Sequence, residues 1–445
     1  MKSSCSSRSA NAPRLLTRRA ASFRRTRLFS EIRSEPLPRS KVTRKLPVTN
    51  ATAHTTFRLT PAITGLFAGV CGLTVANIYY AQALIGPITG ALAISSTWAG
   101  SIVTLTQLGY GAGLVLIVPL CDQSENRRLI LLTIAGLVVS LIGAALSTSV
   151  ATFMLFSVTI GLCSVGSQIL LPLATHFVEP GQRGRTIGNI MGGLLSGIML
   201  SRPVANAMAA AFGWRAVFWV SAVVMMLAGL GLARVLPVQA PTRRMSYGSL
   251  LRSIMHLLVQ YRTLRVRIAC HGLVFAVFNM FWTAIPLLLH AQFGFSQSKI
   301  ALFALAGAGG ALAAPLAGRL ADAGLTRPAT LSAIALVGAT SLTSGWAVAA
   351  GWIIVLAVLA LLLDGGVQTN QVISQRVVYS LNDTARGRLN AAYMGGVFVC
   401  GALGSSCGAA LYSIAGWWGF AIAGTLMCLA SLALFAATNG RHAAS

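Results

Sequence analysis

Twelve apolar runs, joined by short connections that carry most of the arginines, occupy residues 61–83, 97–120, 129–147, 152–176, 187–211, 216–236, 268–291, 298–320, 328–348, 351–375, 389–413 and 418–437. A helix needs about 20 apolar residues to cross the hydrocarbon core of a bilayer. The pattern therefore predicts an all-α polytopic membrane protein with twelve transmembrane helices. Composition agrees: 55% of the 445 residues are hydrophobic and 9% are charged, where a soluble globular chain carries about 25% charged residues. Eight acids are too few to solvate an ordinary soluble enzyme.

The net charge of +26 does not indicate nucleic acid. Thirteen of the 34 basic residues fall in residues 1–57, and the others sit in short clusters between apolar runs, with no basic stripe interleaved with aromatics. The eight cysteines form no CxxC and mostly lie inside apolar runs, where Cys behaves as a small hydrophobe. Neither a metal site nor a cofactor is expected. No GxxxxGK[ST] occurs, which argues against an ATP-driven pump, and no HExxH or hydrolytic triad suggests an enzyme.

Basic residues favour the cytoplasmic side of a membrane. With a cytoplasmic N-terminus, eighteen arginines fall on inside segments, against only Arg215 and Lys299 outside. Both termini are therefore expected in the cytoplasm. The longest internal polar stretch, 237–267, is Arg-rich and opens with Pro237 and Pro241. It reads as a cytoplasmic link between six-helix halves at 58–236 and 268–438, followed by a short tail at 439–445. An internal repeat supports the halves. Arg183-Gly184-Arg185 recurs as Arg386-Gly387-Arg388, Gly192-Gly193 as Gly395-Gly396, Gly213-Trp214 as Gly416-Trp417 and Gln168 as Gln371, all at an offset of 203. Asp122 and Asp322 follow the second and eighth runs at an offset of 200.

Together with this repeat, three stretches carry a family resemblance: Ala76-Asn77-Ile78-Tyr79-Tyr80-Ala81-Gln82, Leu105-Thr106-Gln107-Leu108-Gly109-Tyr110 and Gly213-Trp214-Arg215-Ala216-Val217-Phe218-Trp219. Over residues 58–438 the chain resembles a major facilitator superfamily transporter, and within that superfamily the bacterial twelve-helix drug/proton antiporters. The resemblance implies two parallel six-helix repeats with a substrate site near the midplane between them. It implies a bacterial inner-membrane protein, expected to be a monomer, that exchanges a small-molecule substrate for protons across the lipid bilayer by alternating access.

The superfamily's loop motif, G-x-L-x-D-[RK]-x-G-[RK]-[RK], corresponds here to Val118-Pro119-Leu120-Cys121-Asp122-Gln123-Ser124-Glu125-Asn126-Arg127. Leu120, Asp122 and Arg127 match, while both glycines and two basic positions are lost. The second copy keeps Gly318-Arg319-Leu320-Ala321-Asp322 and then Arg327. The resemblance implies a conformational latch at Asp122, Arg127, Asp322 and Arg327, since an Asp at a helix end can accept from backbone N–H groups and pair with Arg. A solvated loop carboxylate is the alternative. The antiporter motif of the fifth helix, G-x8-G-x3-G-P-x2-G-G, survives as Gly184, Gly193 and Gly197. Its Pro-x-x-Gly-Gly is replaced at Ile198, Ser201 and Arg202. That departure keeps a proton-coupled uptake symporter open beside efflux, and a non-transporting sensor or scaffold is a third reading.

Charges inside membrane spans are costly and mark functional positions. Two remain once the loops are removed: Arg202 in the fifth run and Asp364 in the tenth, roughly 22 and 17 Å from their cytoplasmic helix ends at about 1.5 Å per residue. Asp364 is the candidate proton carrier; a fixed Asp–Arg pair or a cap on a helix broken at Gly365-Gly366 are its structural alternatives. Arg202 suits anion binding, ion pairing or backbone contact. Asn77, Tyr80 and Gln82 on the first run and Asn279 and Trp282 on the seventh complete the candidate cavity. Gln107, Tyr110, Gln168, Asn370 and Gln371 add to it from the second, fourth and tenth. Helix–helix hydrogen bonding is the competing role for each, and as a set they suit an amphiphilic or hydroxylated substrate. His271 and His290 lie near span ends and are expected at the interface. Residues 1–57, rich in Arg and Ser and poor in acids, read as a disordered cytoplasmic arm or a misassigned start. A transit peptide, with an organelle envelope as destination, is the alternative.

Topology reporters fused after residues 125, 181, 250 and 383 should signal cytoplasm, and fusions near 149, 213 and 295 the opposite side. A signal from the far side at 250 would overturn both the orientation and the two-half reading.

Overall fold

A computed structural model describes residues 59–178, 183–238 and 246–439. The basic arm 1–57, residues 239–245 near the start of the 237–267 link and the tail after 439 lie outside the described residues. All regular structure among the described residues is helical. The first six α-helices are α1 (Pro61–Ala83), α2 (Ile85–Ala91), α3 (Gly100–Leu116), α4 (Asn126–Leu146), α5 (Val150–Cys163) and α6 (Gly166–His176). They are followed by α7 (Arg183–Phe212), α8 (Trp214–Val235), α9 (Tyr247–Gln260) and α10 (Arg262–Ala291). The last five are α11 (Gln297–Ala308), α12 (Ala313–Asp322), α13 (Thr326–Ala349), α14 (Ile353–Tyr379) and α15 (Arg386–Asn439).

Local sequence sets the ends. Thr60 caps α1 by accepting from the Ile63 N–H at 3.3 Å, and Pro61 follows at the first turn, where its missing N–H costs nothing. Ser149 and Ser246 cap α5 and α9 in the same way.

Nine described segments are long and apolar enough to cross a membrane, three fewer than the apolar runs predict. Each difference has a local cause. The last two runs lie in the single segment α15, which bends at Gly416. The eighth run divides into α11 and α12 around a 3-10 turn at Gly309–Leu312, so neither piece spans alone. The fifth run is the 30-residue α7, whose three arginines, asparagines, serines and glycines dilute its hydropathy. The fourth run is likewise two helices, α5 and α6, with a break at Ser164 and Val165. The 237–267 link is more ordered than its polar composition predicts. α9 lies within it, burying Leu250, Ile254 and Leu257 along one stripe, and α10 begins at Arg262, six residues before the predicted span.

Small residues let helices approach. A methyl group on Gly72 of α1 would stand 2.4 Å from the Gly193 carbonyl oxygen of α7, and one on Gly197 would stand 2.2 Å from the Gly72 oxygen. The motif glycines Gly193 and Gly197 thus form the α1–α7 contact. On α15, Gly404 and Gly408 meet the backbone of Ala276 and Met280 on α10 in the same manner.

Two glycines paired by the sequence repeat share a conformation. Gly213 (φ 81°, ψ 161°) precedes α8, and Gly416 (φ 62°, ψ −158°) breaks α15; each is followed by a buried tryptophan, Trp214 or Trp417. Only glycine occupies that region without strain. A side chain would meet nothing within 4 Å at either position, so any cost of substitution is conformational. Gly213→Ala and Gly416→Ala should each destabilise the protein by about 1–3 kcal/mol. Gly188→Ala, in helical backbone with open space around it, should be neutral or stabilising. Melting of the three purified variants in one detergent checks the contrast.

Candidate functional site

Helices α1, α6, α7, α10, α14 and α15 contribute to the wall of a cavity of about 370 Å³, lined by Tyr79, Phe275, Phe278 and Phe398 and by the polar side chains of Gln168, Gln368, Gln371 and Gln375. It runs along α14 from Tyr379 at the C-terminal end of that helix to Asp364, a depth of about 22 Å at 1.5 Å per residue. Arg202 and Asp364 line the same cavity, Asp364 at its deep end.

Arg202, 5% exposed, donates from Nε and Nη2 to Gln82 Oε1 at 3.3 and 3.2 Å. Its guanidinium lies 4.4 Å from the Trp282 ring centroid and 5.0 Å from those of Tyr79 and Phe278. Three aromatic faces and one amide oxygen thus stand where water would be, and cation–π attraction strengthens when the cation is desolvated. Asp364, 7% exposed, accepts from Trp282 Nε1 at 2.8 Å. Trp282 therefore links the two charges, with its ring beneath one and its N–H on the other. The two charges do not approach within the 4.0 Å of an ion pair, as Arg376 and Asp322 do. The break between α11 and α12 is fitted to this point. A methyl group on Gly307 would clash with the Trp282 ring at 2.1 Å, and one on Gly310 with Asp364 Cβ at 2.4 Å.

Beyond the charges the bundle is closed. Gln82 Nε2 donates to Asn279 Oδ1 at 3.4 Å and Thr283 Oγ1 at 3.3 Å, and Gln107 Nε2 donates to the same Asn279 oxygen. Ile85, Ala99, Val103 and Ala409 pack in the next layer. Thr104 Oγ1 contacts the Ala402 carbonyl oxygen at 2.9 Å and Ser406 Oγ at 2.7 Å, joining α3 to α15. Asn206 of α7 accepts from Gln297 of α11.

The remaining predicted residues divide by position. Tyr110, Gln168 and Gln371 line the cavity, with Gln168 Nε2 donating to the Tyr110 hydroxyl at 3.2 Å and Oε1 accepting from Asn390 at 3.2 Å. Asn77 does not line it: its Oδ1 accepts from Ser221 Oγ on α8 at 2.6 Å, a helix–helix contact. Tyr80 is buried outside the lining, and its neighbour Tyr79 faces the cavity instead, since adjacent helical residues point about 100° apart. Asn370 is buried behind the wall, accepting from Ser374 at 3.4 Å. Arg127 donates to the Ala233 carbonyl oxygen on α8 at 2.7 Å and makes no ion pair with Asp122. Asp322 is held by Arg376 of α14 and not by Arg327.

Reading the sequence missed Tyr79, Gln368, Gln375, Thr283 and His271. Tyr79 is three residues before Gln82 and so shares its face. His271 is the tenth residue of α10 and is fully buried on the cavity wall.

A bundle of membrane-length helices around a charged, aromatic-walled cavity closed at one end is the architecture of a multi-pass membrane carrier. The profile of the Major Facilitator Superfamily matches residues 62–378 and, overlapping, 267–444. The chain is 41% identical over 379 residues to a protein of Escherichia coli O157:H7 named "Uncharacterized transporter YgaY", covering 84% of this chain and 95% of that one. It is 25% identical over 272 residues to the "Chloramphenicol resistance protein" of Streptomyces lividans, covering 61% of this chain and 68% of the relative. Among solved structures, the POT family transporter PepTSo superposes with a TM-score of 0.65 at 14% identity, over 85% of this chain and 98% of that one. A D-xylose-proton symporter gives 0.62 at 15%, over 82% and 96%. At such identities these likenesses show the fold. The chain belongs to the major facilitator superfamily: it is a membrane-embedded transporter of a small-molecule substrate and not an enzyme.

The positions of Asn77 and the cavity residues predict a separation of effects. Asn77→Leu leaves the Ser221 hydroxyl without its acceptor and should cost about 1–3 kcal/mol of stability, with unchanged ligand affinity per folded molecule. Melting and ligand titration of the same preparation measure both.

Proposed function

We propose that this transporter exports a small amphiphilic organic molecule in exchange for protons, with Asp364 as the proton-carrying group and Arg202 as its electrostatic partner. The observation that carries the reading is a carboxyl on the wall of a deep cavity, held by one neutral indole N–H, with a guanidinium close by on the shared Trp282 but no ion pair. A carboxyl not committed to a salt bridge can change its proton occupancy as the cavity gains and loses water. The resistance named for the S. lividans relative favours outward movement of the substrate, and the aromatic wall with its glutamines suits an amphiphile.

In this reading the helices of 58–236 and 268–438 form two halves linked through 237–267, and basic residues keep both termini on the cytoplasmic side of a bacterial inner membrane. The cavity end bearing Tyr379 then faces the cytoplasm. The layer from Gln82 and Asn279 to Thr104 and Ser406 seals the outer side. Asp122 and Arg127 in one half, and Arg327 with Asp322 and its ion-pair partner Arg376 in the other, bias the equilibrium between inward and outward forms. Uptake by symport is the second reading, favoured by the replacement of the antiporter motif's Pro-x-x-Gly-Gly at Ile198, Ser201 and Arg202.

Purified protein in liposomes tests the proposal, with chloramphenicol as the first substrate. Export by antiport requires protons to move opposite to the substrate; co-directional movement would establish symport. Asp364→Asn should abolish gradient-driven transport while sparing gradient-independent exchange. Coupling at the wild-type ratio in Asp364→Asn would place the proton elsewhere.

A further inference from the structure

α10 presents a second polar group to the cavity, distinct from the charges at its deep end. His271 is fully buried, lines the cavity, and has Nδ1 2.6 Å from the Tyr393 hydroxyl on α15. The two rings are stacked with centroids 5.6 Å apart, which fixes the imidazole plane. Nε2, on the other side of the ring, has no hydrogen-bond partner among the described residues. Buried polar atoms are rarely left so.

The Tyr393 hydroxyl can meet Nδ1 either as donor or as acceptor. Ser374, the hydroxyl near Tyr393, gives its hydrogen to Asn370 Oδ1 at 3.4 Å and accepts from Arg267 Nη1 at 3.4 Å. When Nδ1 accepts the phenol hydrogen, the ring hydrogen lies on Nε2. In that tautomer the site offers a donor. Arg267, one turn earlier on α10, is buried with Thr330 and Ser374 as its hydrogen-bond partners and no ion pair among the described residues. Its charge makes this wall attractive to an electron-rich atom.

Between this donor and the deep end lies an aromatic strip. Phe275 and Phe278 stack at 5.5 Å with an interplanar angle of 13°, and Arg202 stands over Phe278. His271 and Phe278 are seven residues apart, about 10 Å along the helix.

We propose that His271 Nε2 is a recognition donor in the cavity, and that the ligand is a flat, elongated aromatic amphiphile. Its carbonyl-type oxygen accepts from His271, its body lies on Phe275 and Phe278, and its opposite end reaches Arg202 and Asp364. That this ligand is cargo rests on the transport reading above; its binding does not.

The probe is 6-propionyl-2-(dimethylamino)naphthalene, a dye of this shape whose emission moves to longer wavelength when its ketone accepts a hydrogen bond. Its ketone-free propyl twin is the control. Both are titrated against the full-length protein in lipid nanodiscs. His271→Phe should bind the ketone about five- to tenfold more weakly, the size of one lost hydrogen bond, with emission shifted to shorter wavelength. His271→Gln, which keeps a donor, should bind it within about twofold of wild type, and the twin should bind wild type and His271→Phe equally. Equal ketone affinity in wild type and His271→Phe would overturn the proposal, as would the absence of saturable binding to wild type. The wild-type spectrum is decisive without any variant: bound-dye emission at its aprotic-solvent wavelength contradicts a donor at this site. Proton-driven dye flux is measured separately. Its absence alongside His271-dependent binding would count against proton-coupled export and support this site.

Discussion

Arg202 places a guanidinium in the interior of a helix bundle whose outer surface must suit lipid. Charge burial of that kind is tolerated only when protein groups replace the lost water. Here the replacement is one amide oxygen, on Gln82, and three aromatic faces, on Tyr79, Phe278 and Trp282. Much of the central architecture follows from meeting that requirement. Gln82 can accept from Arg202 because its own amide nitrogen is engaged by Asn279 and Thr283 of α10, and Asn279 in turn receives Gln107 of α3. Three helices are thus tied to the arginine of a fourth through side-chain amides. The glycine contacts of Gly72, Gly193 and Gly197 let α1 and α7 approach closely enough for the Gln82–Arg202 bonds to form.

Trp282 joins this network to Asp364. Its ring faces the guanidinium and its indole N–H is spent on the carboxyl, so the two charges share a neutral intermediary and do not neutralise each other directly. A direct pair would be held by its own attraction and would resist a change of protonation. An indole donor leaves the carboxyl open to the cavity, and the broken α11–α12 region, with Gly307 and Gly310 against Trp282 and Asp364, surrounds it with small residues. Under the proposed function, a shift of either group alters the contacts of the other. This gives proton occupancy a route to the helices that seal the bundle.

The sequence made the hydrophobic spans, the two buried charges and the amides Gln82, Gln107 and Asn279 legible, because membrane burial penalises such groups wherever they occur. The offset of 203 also picked out Gly213 and Gly416, whose shared left-handed conformation gives that repeat a physical meaning. Facing was less legible. Tyr79 and Tyr80 are equally polar and adjacent, and only the rotation of α1 decides that one meets Arg202. Asn77 differs from Gln82 by little more than a turn, yet Ser221 of α8 supplies its partner. The breaks after α5 and α11 were hidden because glycine, alanine and serine continue an apolar run without showing whether the helix continues. His271 was placed at an interface because the start of α10 was set by hydropathy, whereas Arg262, Arg265 and Arg267 extend the helix as its first polar turns.

The central claim is that proton occupancy at Asp364 exchanges the open and sealed ends of the cavity. Spin labels at Arg185 and Ser380 report the end where α7 and α14 flank the cavity mouth. Labels at Thr97 and Ser413, whose hydroxyls lie 3.4 Å apart, report the sealed end. Double electron–electron resonance in nanodiscs, over a pH titration and in Asp364→Asn, measures both distances. The account predicts reciprocal change in the wild type, the 185–380 distance shortening as 97–413 lengthens, and a distribution independent of pH in Asp364→Asn. Two distances that stay fixed or lengthen together, or a full pH response retained in Asp364→Asn, would contradict it.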